Sequence, residues 1–342
     1  MDVLLYINNC YLPFCRVKST IYLFSILIMK KFLIKIVIFC IPLIIIAISL
    51  DLIISSQLRK SINKNYFVWN KLVQGKIDSK ILIYGSSRAR AHINSKIIEN
   101  TLNLSTYNLG IDGYTFDMQY CRHQLVSKNN TIPTYIIQTL DYHTLGEIQN
   151  LYQNNQFCPY FDNIIIRNTI SDFKGFNWYD YNLPLVRYYG RPRDIILATK
   201  IFFNVGHDIS NRYNGFYNVD KNWDGEFEKI KEKKGFIIQK MNSRVMLLFE
   251  QYLNSIEKQH IKVVFVYTPE YIEGQKFVKN RSEIIDYYKK TAKIHNIPFL
   301  DYSSDSICLS KKYFYNAEHL NLTGSTIFSN KLASDLKEYI HH

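Results

Sequence analysis

Twenty-three consecutive residues, Phe32 to Ile54, are apolar apart from Lys35, Pro42, Ser49 and Asp51. At about 1.5 Å of rise per residue, such a run as a helix matches the ~30 Å hydrocarbon core of a bilayer. Lipid offers the backbone no hydrogen bonds, so a spanning segment must satisfy its own amides, and a helix does so. Lys30, Lys31 and Lys35 lie at its N-terminal end and orient that end to the cytoplasm, so everything after Ile54 is expected outside. Asp51 falls near the outer end, where a carboxylate can reach water, and Pro42 would kink the helix without forbidding it. The competing reading is a cleaved secretory signal, whose apolar region is usually ~7–15 residues. Ala47-Ile48-Ser49 is a passable cleavage site but lies inside the run, so length favours a retained single-pass anchor in the cell membrane. Met29-Lys30-Lys31 resembles a natural start with a basic n-region. That leaves residues 1–28 as either a mis-assigned start or a short extra apolar stretch, too short to span. The expected division is a cytoplasmic 1–31, an anchor over 32–54, a polar juxtamembrane stalk over 55–79 and one extracytoplasmic (periplasmic) domain over 80–342.

From Lys80 onward short apolar runs alternate with helical stretches, the pattern of a mostly parallel sheet covered by helices. Five strands are expected, at Ile81–Tyr84, Thr106–Asn108, Tyr135–Leu140, Lys262–Tyr267 and Phe299–Asp301; each is short and rich in β-branched or aromatic residues. Helices are expected over Ile237–Lys258, over Glu283–His295 with Ser282 as N-cap, and over Thr323–Tyr339. Right-handed crossovers bring all the strand C-termini to one edge, where a site belongs. The stretch from about 143 to 235 breaks the pattern. It is rich in Tyr, Trp, Asn and Arg and too long for an inert loop, so it reads as a lid or a small subdomain. Its aromatic and basic residues, among them Trp178, Tyr179, Tyr181, Arg187, Tyr188, Tyr189, Arg191, Arg193, Tyr213, Phe216, Tyr217 and Trp223, suit a sugar-binding face and a small core equally well.

The formal charge of +13 invites a nucleic-acid reading. The basic residues are scattered, however, and some flank the apolar run, so nucleic acid is not an expected partner, whereas an anionic lipid surface or acidic glycan fits. Cys121, Cys158 and Cys308 fall in the exported part, and three thiols allow at most one disulfide. Isolated buried cysteines are the preferred reading. No Cys-x-x-Cys spacing occurs, so neither a metal nor a cofactor is expected.

The chemistry-bearing residues fall in separated blocks. The first strand ends at Gly85-Ser86-Ser87, the second runs into Asn108-Leu109-Gly110-Ile111-Asp112-Gly113, and His319 lies in Asn316-Ala317-Glu318-His319, before the last helix. A tripeptide such as Gly85-Ser86-Ser87 is by itself most often a strand-to-helix turn with a capping serine. In this order the three blocks resemble the SGNH/GDSL hydrolase family, in the divergent membrane-anchored branch of bacterial surface-polysaccharide loci. The resemblance runs from roughly Ser79 to the C-terminus around a large unmatched insertion. It implies an α/β, three-layer, flavodoxin-like fold around the five-stranded sheet.

The resemblance also implies roles. Ser87, third in its block, is the nucleophile, with Ser86 as the alternative. The Ser87 backbone N–H and Gly113 bind the oxyanion, and Gly110 makes the turn. His319 is the base, with His92 and His143 as alternatives. Asn316 stands where the family has an aspartate. An amide oxygen there can accept from imidazole Nδ1–H but cannot neutralise an imidazolium. Either Asn316 orients a Ser–His dyad, or Glu318 or Asp301 supplies the carboxylate, or activity is lost. Asp141 stands where the family has an asparagine, and an ionised carboxylate cannot donate a hydrogen bond to an oxyanion. Asp141 is therefore expected to bind a sugar hydroxyl or pair with Arg88, and Ser86, Arg88, Asn108 and Asp141 are expected to line the substrate. The expected protein is an exported serine esterase or O-acyltransferase working through an acyl-enzyme on a cell-surface polysaccharide, with O-acetyl the expected acyl group. A transferase would draw on a membrane-bound O-acyltransferase partner. The rival reading is a degenerate fold retained as a glycan-binding or assembly protein.

Overall fold

The inner strands are buried on both faces, and their alternate residues enter different cores, while the edge strand β5 (Phe299–Asp301) is only half-buried. Ile81 and Ile83 of β1 (Ile81–Tyr84) join one apolar cluster with Ile137, Val264 and Val266, while Leu82 and Tyr84 join another with Ile136, Val263 and Phe265. The computed structural model describes residues 12–206, 213–218 and 220–340, with side chains from residue 25 onward. The remaining strands are β2 (Thr106–Asn108), β3 (Tyr135–Leu140), β4 (Lys262–Tyr267) and β5 (Phe299–Asp301). All pairings are parallel, in the order β2-β1-β3-β4-β5. The chain reverses its direction of travel across the sheet beside β1, so a crevice opens at the C-terminal ends of β1 and β3.

The helices are α1 (Leu12–Leu58), α2 (Phe67–Val73), α3 (Ser87–His92), α4 (Ser95–Leu102), α5 (Phe116–Asn129), α6 (Ile164–Ser171) and α7 (Trp178–Asn182), followed by α8 (Pro192–Phe202), α9 (Glu226–Lys234), α10 (Ser243–Lys258), α11 (Ile272–Phe277), α12 (Arg281–Ile294) and α13 (Leu322–Asp335). Ile98 and Leu102 of α4 with Phe328 and Leu332 of α13 cover one face of the sheet. Leu125 of α5, Phe249 and Tyr252 of α10 and Tyr288 of α12 cover the other. This is the expected three-layer α/β arrangement.

The structure shifts several expected boundaries. Asn242 accepts from the N–H groups of Arg244 and Val245, so α10 starts at Ser243 rather than at Ile237. Asn280, not Ser282, precedes α12. Asn321 caps α13 through the Gly324 N–H. Among the described residues one helix, Ser25–Leu58 within α1, is long and apolar enough to cross a membrane, and it outruns the expected 32–54 at both ends. Residues 1–11 of the expected cytoplasmic segment lie outside the described residues.

Two expectations are overturned by packing. The supposed stalk is part of the domain: Leu58, Tyr66, Trp69 and Leu72 are buried in the larger core, and Trp69 Nε1 donates to Gln156 Oε1 at 2.8 Å. Asp51 does not reach water. It is buried, accepts from the Leu185 N–H at 2.8 Å and forms an ion pair with Arg187. The long insertion divides its work: Phe157, Tyr160, Phe161 and Tyr188 make core, and α8 packs along α1. Asn214 extends the sheet edge by accepting from the Asn108 N–H at 2.7 Å.

Candidate active site

The turn after β1 is built for close approach. Gly85 has φ +148°, and a Cβ there would collide with Thr139 Oγ1 on β3. Ser86 then caps α3, its Oγ accepting from the Arg88 N–H at 3.2 Å, which puts Ser87 at the first helical position. Behind it the buried Arg88 pairs with Glu270, and its Nε donates to Thr268 Oγ1 at 3.1 Å. Arg281 reaches the same Glu270 carboxylate at 3.0 Å. Removing one partner of a buried ion pair is costly because the other charge is left uncompensated, so this network fixes the base of the serine turn.

Across the crevice His319 is returned by the loop before α13. Its Nε2 is 2.7 Å from Ser87 Oγ and its Nδ1 is 2.9 Å from Asn316 Oδ1. The same Asn316 oxygen accepts from the backbone N–H groups of His319 at 2.9 Å and Glu318 at 3.1 Å. Only the amide oxygen can accept, so these contacts set the flip of Asn316, which in turn holds the His319 proton on Nδ1. The Nε2 lone pair is left facing the serine hydroxyl. The imidazole stacks on the Tyr315 ring at 5.2 Å. Burial pushes its pKa down to about 4, against the opposing pull of Glu318, so it is neutral at pH 7.

Glu318 is the negative charge beside this pair. Tyr142 Oη donates to its carboxylate. Burial would raise the carboxyl, but His143, His319 and the Tyr142 hydroxyl outweigh it and hold its pKa below the ordinary value. Asp301 is not used here: it lies at the far end of β5, accepting from the Ser303 N–H. His92 is engaged at both ring nitrogens, Nε2 accepting from the Leu320 N–H at 3.0 Å and Nδ1 lying 2.9 Å from Thr268 Oγ1.

A cleft of about 480 Å³ opens over Ser87 and His319, with Gly113, Arg90, Asp112, Tyr114, Tyr152, His143 and Glu318 in its walls. Gly113 has φ +71°, and a Cβ there would meet the Tyr152 ring at 2.7 Å, so backbone alone lines the cleft at this point. Arg90 pairs with Asp112 and donates to the Tyr217 carbonyl at 2.6 Å, bracing that wall.

Of the residues expected to line substrate, only Ser86 lies in the wall of this cleft. Asp141 is buried behind it, accepting from Ser86 Oγ at 2.5 Å and Thr144 Oγ1 at 2.9 Å. Burial is outweighed there by His143, Arg88 and these hydroxyls, so the carboxylate stays ionised below the floor of the cleft. Arg88 pairs with Glu270 rather than with Asp141. Asn108 Nδ2 donates to the carbonyls of Ala89 and Ile93, both at 2.8 Å, which ties β2 to α3. None of the insertion's twelve singled-out aromatic and basic residues enters the cleft; its rings are Tyr114, Tyr152 and Tyr315. Asp112 stood inside the second sequence block and Tyr315 directly before the third, whereas Tyr152 carried no local signal. Cys121, Cys158 and Cys308 are buried free thiols. Among the described residues no group of three His, Cys, Asp or Glu side chains is placed to hold a metal ion.

No protein-family model matches the sequence, and no curated protein matches it. The chain is similar in fold to several solved structures, among them two described as GDSL proteins and a carbohydrate esterase. A GDSL-like lipase from Bacteroides thetaiotaomicron is 11% identical, with a TM-score of 0.35, over 76% of this chain and 88% of its own. A protein from Desulfitobacterium hafniense, described as lipolytic and of the G-D-S-L family, is 11% identical with a TM-score of 0.37, over 75% of this chain and 99% of its own. A family two carbohydrate esterase from Clostridium thermocellum, solved with cellohexaose, is 8% identical with a TM-score of 0.35, over 77% of this chain and 65% of its own. At such values the chemistry of this site is judged from its own distances.

Proposed function

We propose that this chain is a membrane-anchored serine esterase or O-acyltransferase that works through a Ser87 acyl-enzyme on the extracytoplasmic side. The observation that carries the reading is the Ser87 Oγ to His319 Nε2 contact of 2.7 Å, with Nδ1 held by Asn316. In the first half-reaction His319 Nε2 takes the hydroxyl proton as Ser87 Oγ bonds to the ester carbonyl carbon. The backbone N–H groups of Ser87 and Gly113 take the developing oxyanion. The tetrahedral intermediate then expels the alcohol, which leaves with the proton from Nε2. In the second half-reaction water or a sugar hydroxyl attacks the acyl carbon as its proton passes to His319 Nε2; the intermediate then expels Ser87 Oγ, which takes that proton back, and the acid or the new ester leaves. Glu318 supplies the negative charge that Asn316 lacks while His319 is an imidazolium. Tyr114, Tyr152 and Tyr315, with Arg90 and Asp112, suit a sugar ring bearing polar substituents, and an O-acetylated surface glycan is the proposed substrate.

The test is to treat the full chain, in detergent, with a serine-reactive fluorophosphonate and an aryl acetate. Labelling is expected at Ser87, with release of the aryl alcohol, and Ser87→Ala should abolish both. Labelling without hydrolysis would assign the second half-reaction to a sugar acceptor. No labelling, with glycan binding retained, would replace the reading with that of a binding protein.

A further inference from the structure

A second concavity, larger than the cleft, lies against the apolar helix. It measures about 790 Å³, and its walls include Leu50 and Ile53 of α1 and Tyr188, Ile195, Ala198 and Phe202 of the insertion. Ile195, Ala198, Thr199 and Phe202 recur at helical spacing, so one stripe of α8 is apolar. Ala198 is buried in the larger core, while Ile195 and Phe202 on the same stripe stay 38% and 53% exposed and line the open groove. The neighbouring surface is apolar too: Ile196 is 54% exposed and Phe203 66%.

We propose that this groove holds an acyl chain of an outer-leaflet phospholipid, seating the domain on the bilayer surface. The proposal rests on α1 being a retained membrane anchor. Depth is the first argument. Counting about 20 residues for the hydrocarbon core from Phe32, just after Lys30 and Lys31, the helix leaves the core near Asp51. The groove wall at Leu50 and Ile53 is therefore level with the outer edge of the acyl region. Continuity is the second: the groove is a direct extension of the exposed apolar surface of α1, so a lipid beside the helix enters it without crossing water. Asp51, the acidic side chain at this level of α1, is already occupied by Arg187 and the Leu185 N–H. A lid of water over this surface would leave a large apolar patch exposed, which a folded chain rarely tolerates.

The experiment reconstitutes the full chain into vesicles of phosphatidylglycerol and phosphatidylethanolamine containing a phospholipid with a diazirine in its acyl chain, followed by irradiation and peptide mapping. Adducts are expected both in 32–54 and in 195–203. Thr199→Asp, which puts a charge in the groove, should cut the second set several-fold and leave the first unchanged. Adducts in 32–54 alone would overturn the proposal and assign the groove to a protein or to a second copy of this chain. Adducts in neither segment would overturn the anchor reading, and the proposal with it. Undiminished labelling of 195–203 in the Thr199→Asp chain would also overturn it, because the contact would then lie outside the groove.

Discussion

The His319 ring has two neighbours that act oppositely on its proton. Asn316 orients it without charge, and Glu318 stabilises its protonated form from the side. With its pKa at about 4, kcat/KM should rise with pH through about 4 and then level, because the base works only when neutral. Glu318→Gln removes a charge that raises this pKa, so the acid limb should move to lower pH while the plateau falls by about 10-fold or more. Asn316→Asp should do the reverse, moving the limb upward and raising the plateau, since a carboxylate would both accept from Nδ1–H and stabilise the imidazolium. A pH series of aryl acetate hydrolysis for the three chains checks this. Ser87, Gly113 and His319 were legible in the sequence because each stands in a short block with its own turn chemistry. Glu318 was legible only as one of two possible carboxylates. Its partner Tyr142 lies 176 positions away, and no local pattern encodes such a contact.

All five strands were legible, with their boundaries: β1, β3 and β4 as short apolar runs buried on both faces, and β2 and β5 as short β-branched or aromatic runs stopped by a turn residue. Helix starts were less so: Asn242, Asn280 and Asn321 precede the observed helices, and asparagine reads equally as loop or cap. The segment 55–79 was misread for a related reason. Its helix, α2, is only seven residues, and its polar flanks conceal Trp69 and Leu72 in the core. The joint between α1 and the insertion was hidden altogether, since Asp51 and Arg187 look like separate charges until α8 lies along α1. There Asp51 accepts from Arg187 Nε at 3.0 Å, and Ser55 Oγ lies 2.7 Å from Tyr188 Oη. Asp51→Ala should cost this joint about 2 kcal/mol, the worth of hydrogen bonds to a charged group. In hydrogen exchange on the detergent-solubilised chain, amides 185–189 should exchange faster, while fluorophosphonate labelling of Ser87 stays unchanged.

At the scale of the whole molecule, three histidines among the described residues are held neutral by burial, and this makes folding sensitive to acid. His319 and His123 have pKa values near 4, and burial holds His92 well below its ordinary value. In the unfolded chain each would take up a proton near pH 6.5. Between about pH 6.5 and 4 the unfolded state therefore binds more protons than the native one, so stability falls as pH falls through that window. For one histidine shifted this far the full loss is on the order of 3 kcal/mol. His123 is the member that separates stability from chemistry. It lies on α5 away from the cleft, against the rings of Tyr84 and Tyr252 at 5.8 and 4.9 Å, and neither ring nitrogen has a hydrogen-bond partner. His123→Phe keeps a ring in that position and removes a titrating group, together with a polar edge that burial leaves unsatisfied. In denaturant titrations of the full chain at pH 7 and pH 5, the variant should lose less stability between the two than the parent does, with aryl acetate hydrolysis unaltered. An equal loss in both chains would mean that the acid sensitivity comes from His92, His319 or the carboxylates instead.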